Sequence, residues 1–145
     1  MNIIEEIKES WGWAGIDPEE IVGENDFGNL MIKDIYGKYW RLCPEDVYCE
    51  IVANNRAELD ALSTNQEFLE DWNMELLVKQ AKEKYGALDE GMKYYLVIPG
   101  ALGGEYGISN INIAPLVELI RYSGSIGKQL KELPDGAKVE LKIVE

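Results

Sequence analysis

Leu30-Met31-Ile32-Lys33, Tyr39-Trp40-Arg41-Leu42-Cys43 and Tyr48-Cys49-Glu50-Ile51-Val52 are three short runs rich in β-branched and aromatic residues. Asp34-Ile35-Tyr36-Gly37 and Pro44-Glu45-Asp46 separate them, breakers at hairpin distances. The pattern predicts an antiparallel meander across 21–52, entered from Ile21-Val22 and Gly23. Cys43 and Cys49 flank the second turn. They read as two small, partly buried, reduced thiols, although a disulfide there is geometrically conceivable.

Upstream of the meander, Asn2 is a candidate N-cap, and Ile3, Ile4 and Ile7 share one face of a short helix. The glycines of Trp11-Gly12-Trp13-Ala14-Gly15 end it. Asp17-Pro18-Glu19-Glu20 reads as a cap followed by proline at the first helical position, a single turn. Trp11 and Trp13 are expected to anchor the first helix to the core, with an exposed aromatic anchor as the other reading. Trp40 and Trp72 are expected in the core.

Downstream, Leu59, Leu62, Phe68, Leu69, Trp72, Leu76, Leu77 and Ala81 recur at helical spacing up to Gly86. They predict helices over 56–63 and 66–84. The run 93–98 is nearly all apolar, which predicts a central strand. A glycine-dense loop follows over 99–107, then a short strand over 108–113. Pro115 opens a helix that Gly124 and Gly127 are expected to break or bend. Pro134-Asp135-Gly136 reads as a turn, and Val139, Leu141 and Ile143 as a half-buried closing strand. The fold expected is α+β: a mostly antiparallel sheet of about five to seven strands with three or four helices packed on it. The 145 residues are read as one domain, 1–145.

The charge is lopsided. Residues 1–75 carry 18 Asp and Glu against 5 Lys and Arg; residues 76–145 carry 9 against 9. The net charge of −13 therefore falls in the first half. Such a surface repels nucleic acid and anionic lipid, and it attracts a basic partner. No apolar run approaches the ~20 residues that span a bilayer. The start, Met1-Asn2-Ile3-Ile4-Glu5-Glu6, has neither a basic stretch nor a long apolar one, so a cytoplasmic location is expected.

There is no histidine, which removes most general-base chemistry and any Cys–His nucleophile. No metal site or cofactor is expected. The glycine loop superficially resembles a phosphate cradle, but Gly103-Gly104 leads into Glu105, where a phosphate would be repelled. Its other readings are a connector needing glycine conformations and a surface loop presenting Glu105 and Tyr106 to a partner.

Several short motifs occur together: Asn25-Asp26-Phe27-Gly28-Asn29, Tyr39-Trp40-Arg41-Leu42-Cys43-Pro44-Glu45, Asp71-Trp72-Asn73-Met74, Pro99 with Leu102-Gly103-Gly104-Glu105-Tyr106, Glu118-Leu119-Ile120, and Leu133-Pro134-Asp135-Gly136. In this order and spacing they resemble a bacterial family, the C-terminal domain of type VI secretion immunity proteins against DNase toxins, first catalogued as a domain of unknown function. The resemblance covers nearly the whole chain. It implies a cytoplasmic antitoxin that binds and blocks a cognate secreted toxin, a nuclease or an NAD-degrading enzyme, and it carries over no catalytic residue.

Complementary charge fits that implication, since a toxin that handles nucleic acid or NAD needs a basic cleft. The candidate toxin-binding residues are Glu24, Asp26, Glu58, Asp60, Glu67, Glu70, Asp71, Glu105 and Tyr106. Two rival readings remain. One is an acidic scaffold module for an endogenous partner. The other is a carboxylate-dependent hydrolase built around 99–107.

Overall fold

Every residue of the strand Tyr39–Cys43 is buried. Successive side chains point to opposite faces of a sheet, so a strand buried throughout needs cover on both. The computed structural model, which describes residues 2–133, shows that cover. Four strands, β1 (Pro18–Glu24), β2 (Leu30–Asp34), β3 (Tyr39–Cys43) and β4 (Tyr48–Ala53), form an antiparallel meander in sequence order. Met31 lies opposite Arg41, and Leu42 opposite Cys49. Leu30, Ile32, Trp40 and Leu42 join one core cluster; Met31 and Tyr39 join another.

The first face is covered by α1 (Ile3–Trp11) and α5 (Leu116–Glu132). Asn2 caps α1 by accepting the Glu5 amide at 2.8 Å. Ile7 and Trp11 are fully buried, so Trp11 does anchor the first helix, and Trp13 stacks on it with ring centres 5.2 Å apart. Gly124 and Gly127 do not break α5, contrary to expectation. They let two helices approach instead. A Cβ on Gly124 would lie 2.3 Å from the Ser10 carbonyl oxygen, and one on Gly127 would lie 2.9 Å from the Trp11 and Trp13 rings. The buried Glu6 accepts from Arg121 Nε of α5 at 2.7 Å, a second tie between the two helices.

The opposite face carries α2 (Arg56–Leu62) and α3 (Gln66–Asn73), whose Leu59, Leu62, Phe68 and Trp72 pack on Met31, Tyr39 and Ala53. Trp72 is thus half-buried between sheet and surface rather than central to the core. The run expected as one helix over 66–84 is two: Met74, at φ 46°, separates α3 from α4 (Glu75–Tyr85). A third cluster joins Leu77 and Ala81 of α4 to Tyr94, Leu96 and Ile111. The last three belong to a second antiparallel sheet, β5 (Met92–Leu96) with β6 (Ile111–Pro115).

The α+β expectation holds: among the described residues, six strands are divided between two antiparallel sheets of four and two. Three further local expectations do not hold. Residues 18–24 are a strand, because Pro18 is the first residue of β1, a position where the missing N–H is tolerated as well as at a helix start. The 93–98 run is not central among the described residues: β5 pairs with β6 alone. Residues 108–110 are a 3-10 turn rather than the start of β6. The expected turn over 134–136 and strand over 139–143 lie outside the described residues.

Candidate functional site

Arg41 is the only basic residue of β3, and it points to the α3 face, where its side chain is 5% exposed. Burying a guanidinium demands partners on all sides. Its Nε donates to Asn29 Oδ1 at 3.0 Å, and its Nη1 donates to Asp71 of α3. Its Cζ lies over two rings of α3, 5.2 Å from the centre of Trp72 and 5.8 Å from that of Phe68. Asn29 in turn donates to both Glu45 oxygens, at 2.8 and 3.0 Å. Burial pushes the Glu45 carboxyl above its ordinary value, against hydrogen bonds from the Cys43 thiol and Asn29 and the charge of Arg41. Cys43 and Cys49 are both free and buried.

Two loops close on this cluster. Asn25 accepts the amides of Phe27 and Asn29 and donates to the Trp72 carbonyl at 2.8 Å, which ties the β1–β2 loop to the end of α3. On the far side, the Gly100 amide donates to the Glu45 carbonyl, and the Tyr106 hydroxyl donates to Asp46. The glycine loop is therefore fastened to the β3–β4 turn. Asn110 braces it from within, bonding both the amide and the carbonyl of Ile98 and the carbonyl of Glu105. Gly103 has positive φ, as expected. Gly104 does not. Its need is space, since a Cβ there would fall 1.7 Å from the Ile98 carbonyl oxygen.

The structure distributes the nine sequence candidates over several places. Glu70, Asp71 and Tyr106 line one groove of about 720 Å3 beside α3 and α4, with Glu75 and Leu76. Glu24 and Asp26 line another of about 610 Å3 on the other side of the α3–α4 junction, and Glu24 pairs with Lys93 at 3.4 Å. Glu58 and Asp60 lie on α2, where Glu58 accepts from Asn54 and Asn55 and Asp60 pairs with Arg56 at 2.9 Å. Glu67 is exposed in the first turn of α3. Glu105 is exposed beside Tyr106, on the loop surface rather than in a cleft.

Residues the sequence reading passed over matter as much. Arg41 gathers the cluster, and its signal was a lone cation inside an aromatic strand. Leu76 was assigned to a buried helical face, yet it is 71% exposed. The break at Met74 resets the helical phase, and adjacent Leu76 and Leu77 cannot both face inward. Among the described residues, no group of three or more His, Cys, Asp or Glu side chains is placed to hold a metal ion, and no helix is long and apolar enough to cross a membrane.

The fold is thus α+β, and it clamps acidic helices onto a sheet and leaves their charged side in solvent. Residues 53–127 match the model of the family described as T6SS immunity protein Tdi1, C-terminal. The match spans more than half of the chain, and the chain belongs to this family of type VI secretion immunity proteins. Membership implies a cognate toxin as partner. No curated protein matches the chain.

Proposed function

We propose that this chain neutralises a secreted antibacterial toxin, a nuclease or an NAD-degrading enzyme, by laying its acidic surface over the toxin's basic cleft. The family match over 53–127 carries the reading. The position of the charge supports it: Glu58, Asp60, Glu67, Glu70, Asp71 and Glu75 are all exposed, on the consecutive helices α2, α3 and α4. In this account residues 1–145 act as one immunity unit in the cytoplasm, binding toxin without catalysis or cofactor.

Co-expression with the cognate toxin domain tests the reading. Growth should be restored by the chain and lost without it; continued killing at full expression of folded chain would overturn it. Stopped-flow association of the purified pair tests the electrostatic part. The association rate should fall about tenfold or more from low to high salt, with dissociation changing less. A salt-independent association rate would remove steering and leave the charge as a solubility feature.

A further inference from the structure

The two grooves beside the α3–α4 junction share Asn73 and Glu75 and differ in the charge of the rest of their lining. The groove holding Glu24 and Asp26 is also lined by Lys79 and Lys82. The groove holding Tyr106 is lined by Glu70, Asp71 and Glu75 and by no basic residue. It also contains Leu76, 71% exposed, and Tyr106, 48% exposed. An apolar patch framed by a single sign of charge is a binding feature rather than a solvated face.

We infer that this second groove is where the toxin docks, by a basic segment whose Arg or Lys lies among Glu70, Asp71 and Glu75 and whose apolar part covers Leu76 and Tyr106. The inference rests on the immunity reading above and narrows it to one surface. Charge selects the occupant. A second copy of the chain brings a net −13 and is repelled, and in the neighbouring groove Lys79 and Lys82 offset two of the four carboxylates, whereas the groove of Tyr106 has no lining cation.

The groove is also formed in advance. Tyr106 donates its hydroxyl to Asp46, and its ring fills the space over Gly100, where a Cβ would lie 2.5 Å from the hydroxyl oxygen. Asp71 is held by Arg41 beneath it. The junction is set by Met74, whose amide donates to the Glu70 carbonyl at 3.2 Å. Side chains ordered before binding lose little freedom on binding, and a planar guanidinium can also stack on an exposed phenol ring.

The test uses the purified full chain and a catalytically inactive form of its cognate toxin domain, with Kd measured by calorimetry and Tm recorded for each variant. Leu76→Ala and the pair Glu70→Lys with Glu75→Lys should each raise Kd at least about tenfold at unchanged Tm. Glu9→Lys with Glu90→Lys, an equal charge change on exposed positions elsewhere, should change Kd by less than about threefold. If wild type binds and the groove variants bind as well as it does, the groove assignment falls while the immunity reading stands. If wild type neither binds nor protects cells, the immunity reading falls first. A wild-type dimer that Leu76→Ala dissolves would give the groove to a second copy and overturn the assignment.

Discussion

The two faces of the four-stranded sheet are covered by helices of opposite character. Under α1 and α5, Ile7, Trp11, Leu119 and Ile120 are buried, and two glycines bring the helix backbones together. On the other face α2 and α3 contain no buried residue, and α3 is held by half-buried aromatics and one guanidinium. The uncompensated charge concentrates on the second pair, where five acidic residues face Arg56 alone; α1 and α5 set five against four. Charge sits where little burial depends on it, so this surface can change sequence without disturbing the main core. The first face supplies stability, and the second supplies a surface.

The sharpest way to break the contrast is Gly124→Val. Its side chain would collide with the Ser10 backbone, which cannot rotate away. The expected cost exceeds about 4 kcal/mol in a urea titration, and failure to fold is consistent with it. A variant within about 1 kcal/mol of wild type would show that the α1–α5 approach is not a source of stability.

Arg41→Ala attacks the other face. It strands Glu45 and Asn29 without their cation, and about 3–5 kcal/mol should be lost. Hydrogen exchange should then rise first in α3, while α1 and α5 retain protection. Arg41→Lys should not restore α3, because an ammonium lacks the fork that serves Asn29 through Nε and Asp71 through Nη1. Equal acceleration in all helices would contradict the division into two faces.

A smaller effect sharpens the comparison from the sheet itself. Asp34 is buried at the β2–β3 turn. Burial raises its pKa, but bonds from the Trp40 indole and the Lys38 and Tyr36 amides outweigh that and hold it below the ordinary 3.8. A lowered folded pKa gives stability that is present above the unfolded value and lost as pH falls through the folded one. Asp34→Asn should therefore cost about 1–2 kcal/mol at neutral pH, and the gap from wild type should shrink below about pH 4. A pH-independent gap would make the loss steric.

Much of this architecture was legible in the sequence because its signals are local. The three strand runs, the Asn2 cap and the stop at Gly86 each depend on neighbours in the chain. What was misread depends on neighbours in space. Pro18 suits the first residue of a strand as well as that of a helix. Gly124 breaks a helix in isolation, yet within α5 it makes room for Ser10. Met74 in a left-handed conformation has no local signature, and it turned Leu76 outward. Among the candidate residues the exposure of the acids was foreseen. Their pairing with Lys93, Arg56 and Arg41 was not, because ion pairs form between elements whose packing the sequence does not display.

The closed end of the β3–β4 hairpin keeps two sulfur atoms that solvent cannot reach. Burial pushes the Cys49 thiol up from 9.0 to about 12, and burial together with the Glu45 carboxylate pushes Cys43 higher still. Alkylating reagents attack thiolates, and at neutral pH the folded chain offers almost none. Each alkylation event therefore records one opening of the hairpin: Cys43 lies on the side of Tyr39 and Arg41, beneath the acidic helices, and Cys49 lies in the core under α1 and α5. Where reclosing outruns the reagent, the labelling rate reports how often that state is populated. The native chain thus contains its own stopwatch for the loosening of the hairpin, with no probe introduced, and a bound toxin that clamps the acidic face should slow labelling at Cys43.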